Sequence, residues 1–203
     1  MVAADNSDAW MEVCKISISK IGGTELAAEA KTETVDIDDP DKDFDGIPML
    51  NGGRVKKWTQ QGDGTITFEA YHTESGTDTG STLKGWEDLK DEVDSTVPIR
   101  VLNSRTRNKY RVLVLWTNDP TVTTAKDVTT NTYSAKRYGA ADGYFTSVKK
   151  SFTDGVLKYT CIYKFAPFDL VGSPCILNES CAGTTPTDIL PAIAAYTTSN
   201  KFG

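Results

Sequence analysis

The feature that most limits what this chain can fold into is a period-two alternation of apolar and polar residues. It recurs in short runs broken by turn residues. Over residues 64–72, Ile66, Phe68 and Ala70 point one way and Thr65, Thr67, Glu69 and Tyr71 the other. Over residues 9–19, Trp10, Cys14, Ile16 and Ile18 share a face, opposite Lys15, Ser17 and Ser19 with Met11 and Val13, and Gly22-Gly23 ends the run. Successive strand side chains alternate between faces, so these runs read as half-buried strands. Residues 97–103 and 109–117 form a strand pair joined by a turn at 104–108. In the second of these, Tyr110, Val112, Val114 and Trp116 face one way while Leu113 and Leu115 are apolar on the other, so both faces are expected to be covered. Residues 144–152 and 156–165 flank Thr153-Asp154-Gly155, an Asp-Gly hairpin turn. Residues 32–38 alternate through Val35 and Ile37.

Only residues 81–93 carry a helical stripe, Leu83, Trp86, Leu89 and Val93, with Ser81 or Thr82 to cap it. Residues 24–31 are Ala/Glu-rich and show no clear preference. Residues 36–64 lack a period, hold Pro40, Pro48 and several glycines, and read as a long arm; residues 118–142 are Thr-rich and read as a second long loop. The expected architecture is mainly β: a sandwich or barrel over residues 1–169 with one packed helix, then a proline-containing C-terminal extension over 170–203.

Composition narrows the function. The 203 residues suit one domain with arms. No apolar run approaches the roughly 18 residues that span a bilayer, and Met1-Val2-Ala3-Ala4-Asp5 has neither the basic nor the apolar region of a signal peptide. The single histidine, His72, excludes multi-histidine metal sites and paired-histidine catalysis. No nucleophile elbow, phosphate-binding loop, zinc-protease or dinucleotide motif is present, so no enzyme and no cofactor is expected. The net charge of −6 argues against generic DNA binding. That charge is split: residues 1–100 carry 21 acids against 10 bases, and residues 101–203 carry 7 against 12. Two unlike halves suit head-to-tail contacts between copies, or reflect chance surface composition.

Asp41, Asp43 and Asp45 precede Gly46 at alternate positions, a spacing that can converge oxygens on Ca²⁺. An EF-hand would need Glu at the twelfth position, where Gly52 stands, so the alternative is a solvated acidic loop. Cys14 and Cys161 sit in apolar runs, whereas Cys175 and Cys181 bracket a short segment that a disulfide can close in an oxidising setting. Basic residues beside aromatics, such as Lys56-Lys57-Trp58 and Lys136-Arg137-Tyr138, meet nucleic acid, an acidic neighbouring subunit or water.

Residues 43–58, Asp-Phe-Asp-Gly-Ile-Pro-Met-Leu-Asn-Gly-Gly-Arg-Val-Lys-Lys-Trp, followed by 63–74, Asp-Gly-Thr-Ile-Thr-Phe-Glu-Ala-Tyr-His-Thr-Glu, resemble major tail tube proteins of tailed viruses. The strand ending in Tyr159-Thr-Cys-Ile-Tyr-Lys-Phe-Ala-Pro-Phe-Asp169 is similar to the same family, and the resemblance covers residues 10–169. It implies a structural virion protein of the tail, assembled in the host cytoplasm. Six subunits would form a ring, rings would stack into a hollow tube, and viral DNA would pass through without specific binding. Tape measure and tail terminator or tip proteins are the implied partners, with no membrane. The position of residues 36–64 matches the arm that docks between rings. Related tubes serve contractile tails and type VI secretion, and a capsid decoration module is the other β-rich alternative.

On that basis Ile47, Met49, Leu50, Arg54, Arg105 and Arg107 are the expected inter-subunit residues, with Lys136 and Arg137 joining the basic face opposite the arm's aspartates. The polar strand faces carrying Thr67, Glu69 and Lys15 are the expected lumen lining, with Ser17 and Ser19 beside Lys15.

Overall fold

A computed structural model describes residues 13–23, 25–30, 34–59, 61–71, 89–90, 107–127, 133–183 and 187–203. Ten strands occupy them: β1 (Val13–Lys20), β2 (Glu25–Ala30), β3 (Asp36–Asp38), β4 (Phe44–Pro48), β5 (Arg54–Trp58), β6 (Gly64–Tyr71), β7 (Tyr110–Thr117), β8 (Ala135–Thr153), β9 (Val156–Phe165) and β10 (Ile176–Cys181). The sheet runs β10-β8-β7-β1-β2-β6-β3, and β9 pairs with both β6 and β8. That last pairing closes β1, β2, β6, β9, β8 and β7 into an antiparallel barrel, with β3 laid along β6 and β10 along β8. Closure removes most of the free sheet edge. The fold is therefore mainly β, as the alternation requires. The expected helix at 81–93 and the expected strand at 97–103 lie outside the described residues, except for Leu89, which is buried in the core, and Lys90.

Two apolar layers hold the barrel. The inner layer is Cys14, Ile16, Ile18, Ile66, Phe68, Val112, Val114, Cys161, Tyr163 and their neighbours. The faces predicted from periodicity for β1, β6 and β7 supply it. Phe145 touches Phe68, Tyr110 and Tyr163 at centroid distances of 6.3, 5.4 and 5.2 Å. The outer layer joins Leu113 and Leu115 of β7 to Val122, Ala125, Ala135, Cys181, Leu190 and Ile193. The second apolar face of β7 is thus covered by the 118–127 loop and the C-terminal residues.

Three sequence expectations change. The Ala/Glu-rich stretch is β2, paired with β1 across a tight turn where Gly22 takes a φ of +66° and Gly23 N–H donates to the Lys20 carbonyl at 2.9 Å. Neighbouring strands override its weak intrinsic preference. The expected 118–142 loop ends early, because residues 135–142 begin the 19-residue β8. Small residues there hide the strand signal, and packing explains them. A Cβ on Gly139 would lie 2.8 Å from both Leu113 and Phe202. One on Gly143 would lie 2.4 Å from the Lys164 carbonyl and the Tyr163 ring. In the expected C-terminal extension, residues 170–183 add β10 to the sheet, and residues 187–203 cover the barrel's outer face with Leu190, Ile193 and Tyr196 buried.

Candidate assembly surface

Strands β4 and β5 form a two-stranded hairpin apart from the barrel sheet, and every residue in both strands is exposed. Its register pairs Phe44 with Trp58, Gly46 with Lys56, Ile47 with Val55, and Pro48 with Arg54. The tip closes through Met49 N–H to the Gly53 carbonyl at 2.8 Å and Gly52 N–H to the Met49 carbonyl at 3.0 Å. Gly52 has a φ of +79°, a left-handed conformation that a side chain would oppose. The base is tied twice. Thr59 donates its N–H and its hydroxyl to the Asp43 carbonyl, each at 2.9 Å, and Gln61 Nε2 donates to the carbonyl of buried Pro40 at 2.5 Å.

Cross-strand pairing sorts the hairpin into two faces. One carries Phe44 and Trp58, edge to face at 5.7 Å, with Lys56 4.9 Å over the Phe44 ring and Arg54 beside Gly46. The other carries Ile47 and Val55 with Asp45 and Lys57. Leu50 at the tip is fully exposed, and Trp58 is 66% exposed. An isolated two-stranded hairpin is marginally stable in water, and a cluster of exposed apolar residues marks a contact surface. Ile47, Met49, Leu50 and Arg54, chosen from the sequence, all lie on this hairpin. Phe44, Val55 and Trp58 belong with them, although no clear alternation at 44–58 marked it as paired strands.

The other expected residues are scattered. Arg107 is exposed and its Nη1 donates to the Lys90 carbonyl at 2.6 Å; Arg105 lies outside the described residues. Thr67, Glu69 and Lys15 are half-buried, and Glu69 meets Lys158 at 3.3 Å. Ser17 and Ser19, expected on a water-facing strand face, are buried, and Ser17 Oγ accepts the Ala125 N–H at 2.9 Å under the 118–127 loop. Arg137, expected on an exposed basic face, is fully buried. Its guanidinium bonds Glu179 at 2.6 and 3.0 Å and the Pro191 carbonyl at 2.5 Å. Asp41, Asp43 and Asp45 do not converge: Asp43 Oδ1 accepts the Phe44 N–H at 2.7 Å, and Asp45 stands opposite Lys57. Among the described residues no group of three acids, histidines or thiols is placed to hold a metal ion.

A buried arginine and a half-buried lysine fasten the C-terminal residues. Arg111 donates to the Ala194 and Lys201 carbonyls at 2.9 and 2.7 Å and lies 5.4 Å from the Tyr196 ring centre. Burial lowers its pKa, with Glu25 opposing. Lys201 Nζ meets Asp169 at 2.7 Å, Asp142 at 3.2 Å and Cys175 Sγ at 3.1 Å. The Lys201 ammonium, with the Ser173 and Val171 N–H groups, holds the Asp169 carboxyl down at about 2. Cys175 and Cys181 are both free thiols. Arg137 falls in an expected loop and Arg111 has no motif around it, so no sequence signal marked these contacts.

No family model matches this sequence, and no curated protein matches it. Chains in three solved structures are similar in trace. One is from the PVC sheath–tube complex of an extracellular contractile injection system in the extended state. It is 14% identical with a TM-score of 0.49, covering 81% of this chain and 88% of that one. Another, from the tube-terminating cap of the anti-feeding prophage, is 9% identical with a TM-score of 0.47, covering 81% and 87%. The third is an Hcp protein, 8% identical with a TM-score of 0.36, covering 83% and 98%.

Proposed function

We propose that this chain is the structural subunit of a hollow tail tube, assembling with copies of itself into hexameric rings that stack, so that viral DNA passes through the lumen. The observation that carries this is the β4–β5 hairpin. It stands off a closed barrel, is tied at its base by Asp43–Thr59 and Pro40–Gln61, and presents Phe44, Ile47, Met49, Leu50, Val55 and Trp58 to solvent. A lone subunit gains nothing from such an element, whereas a neighbouring copy would remove it from water. The resemblance of residues 43–74 to tail tube proteins falls on this hairpin and the strand after it. The subunit then acts without a catalytic site or cofactor. Its location is the virion tail, after assembly in the host cytoplasm, and its further partners are the tape measure protein inside and the terminator or tip proteins at the ends. Thr67, Glu69 and Lys15 are the residues assigned to the lumen, where Glu69 would repel phosphates weakly and Lys15, with the Glu69 partner Lys158, would partly offset it.

Electron microscopy of the purified full-length protein over a range of concentrations tests this. Hollow tubes with sixfold cross-sections are expected. Monomers or closed trimers at every concentration would overturn it.

A further inference from the structure

Backbone alternation shows which hairpin edge is open. In an antiparallel pair, hydrogen-bonded and non-bonded residue pairs alternate. Met49 N–H to Gly53 and Thr59 N–H to Asp43 mark bonded pairs at the two ends. Counting by two from either end, Ile47–Val55 and Asp45–Lys57 are bonded pairs as well. Phe44, Gly46 and Pro48 on β4, and Arg54, Lys56 and Trp58 on β5, therefore turn their backbone groups outward. The β4 edge is closed to a further strand, because Pro48 has no N–H and the Phe44 N–H is taken by Asp43 Oδ1. The β5 edge keeps three outward N–H groups, and an open edge of this kind is a template for another strand.

The side chains along that edge, Arg54-Val55-Lys56, demand an acidic complement. The barrel offers one at β3, the terminal strand of the sheet path, whose only strand partner among the described residues is β6. Its three residues are Asp36, Ile37 and Asp38, with both acids exposed and Ile37 half-buried. Beside it a cavity of about 370 Å³ opens, lined by Val35, Ile37, Trp116 and Tyr138 together with Asp39, Lys136 and Asn178. Charge, apolar, charge on β3 is the inverse of the same pattern on β5. With Val55 opposite Ile37, both acids meet bases whichever way the strands run, and Val55 comes beside the apolar part of the cavity, Val35, Ile37, Trp116 and Tyr138.

We propose that the open edge of β5 adds to the open edge of β3 on a second copy of this chain, with Val55 opposite Ile37. This deepens the assembly described under the proposed function and rests on it. Within one copy β5 and β3 belong to different sheets and do not pair. Two unlike edges on each copy make the contact head-to-tail, which closes as a ring or extends as a filament. Basic β5 edges repel one another, so the pairing is selective as well as attractive.

Charge exchange in the full-length protein tests it. Asp36→Lys with Asp38→Lys makes both edges basic, and Arg54→Glu with Lys56→Glu makes both acidic. Each variant alone is expected to need about tenfold more protein for half-assembly at low salt. An equal mixture of the two is expected to co-assemble near the parent concentration, because each basic edge then finds an acidic one. Misfolded variants would not do this. Mixing Ile37→Cys with Val55→Cys copies under mild oxidation is expected to give a cross-linked dimer, since the native thiols are all buried. If the parent assembles but the variants assemble equally well, or the mixture stays inert and no cross-link forms, the edge pairing is wrong while self-assembly stands. An acidic partner other than this chain would give that inert mixture. If the parent never assembles, both proposals fall together.

Discussion

Replacing Arg137 with alanine should loosen the C-terminal residues and destabilise the whole subunit. Arg137 stands directly opposite Glu179 of β10 and Leu115 of β7, under the outer apolar layer. Its guanidinium donates to Glu179 Oε2 from Nε at 3.0 Å and Nη2 at 2.6 Å, and to the carbonyls of Pro191, Asp127 and Ala125 at 2.5, 3.3 and 3.5 Å. Alanine removes all five bonds, leaves three carbonyls without this partner, and strands a carboxylate that is only 24% exposed. Breaking a buried ion pair from one side costs about 3–5 kcal/mol, and a chain of this size loses about 2–4 °C of melting temperature per kcal/mol. Arg137→Ala should therefore melt roughly 10 °C below the parent by circular dichroism. Limited proteolysis should cut it first within residues 187–203. Arg137→Met combined with Glu179→Leu removes both charges and restores apolar contact, so it should recover most of the loss. A loss under about 1 kcal/mol for Arg137→Ala, or an unchanged proteolysis pattern, would refute the clamp.

Three further outcomes are expected. Met49→Asp with Leu50→Asp at the exposed hairpin tip should change unfolding stability by less than about 1 kcal/mol yet abolish tubes in micrographs, and persistent long tubes would count against the hairpin as the docking element. Asp169 titrates below its ordinary value because of Lys201, so it contributes stability above pH 3.8 that is lost as pH falls through about 2. The stability gap between the parent and Asp169→Asn, followed by urea unfolding, should close across that window, and a gap that widens on acidification would reverse the sign. Burial pushes the Cys14 and Cys161 thiols up to about 12, so at pH 8 a thiol reagent should modify them at the rate of global unfolding.

Much of the barrel was legible because its strands obey one rule. Ile16 and Ile18, and Ile66 and Phe68, alternate with polar neighbours, Val112 and Val114 keep the same period, and all face the inner layer. The Asp154-Gly155 turn between β8 and β9 was equally plain, with both residues at positive φ. The first half of β8 was not, because neighbours crowd Gly139 and Gly143, and Ala140 and Ala141 are small buried residues with weak strand preference. Of the candidate surface, Ile47, Met49, Leu50 and Arg54 stood out as an apolar and basic cluster in an aperiodic stretch. Phe44, Val55 and Trp58 needed the cross-strand register to join them.

The same limit separates two kinds of strand face. Period two tells which residues share a face, and that determined the inner core. It cannot tell whether a polar face meets water or a second layer of the same chain, because that depends on segments far away in sequence. Ser17, Ser19 and Arg137 read as solvent-facing and are buried, since the 118–127 loop, β10 and residues 187–203 lie over them and supply an N–H, the Glu179 carboxylate and carbonyls as partners. Local alternation is a property of the backbone and is written in the sequence, whereas the burial of a polar group is decided by whichever distant atoms satisfy its hydrogen bonds, and only the tertiary structure brings those together.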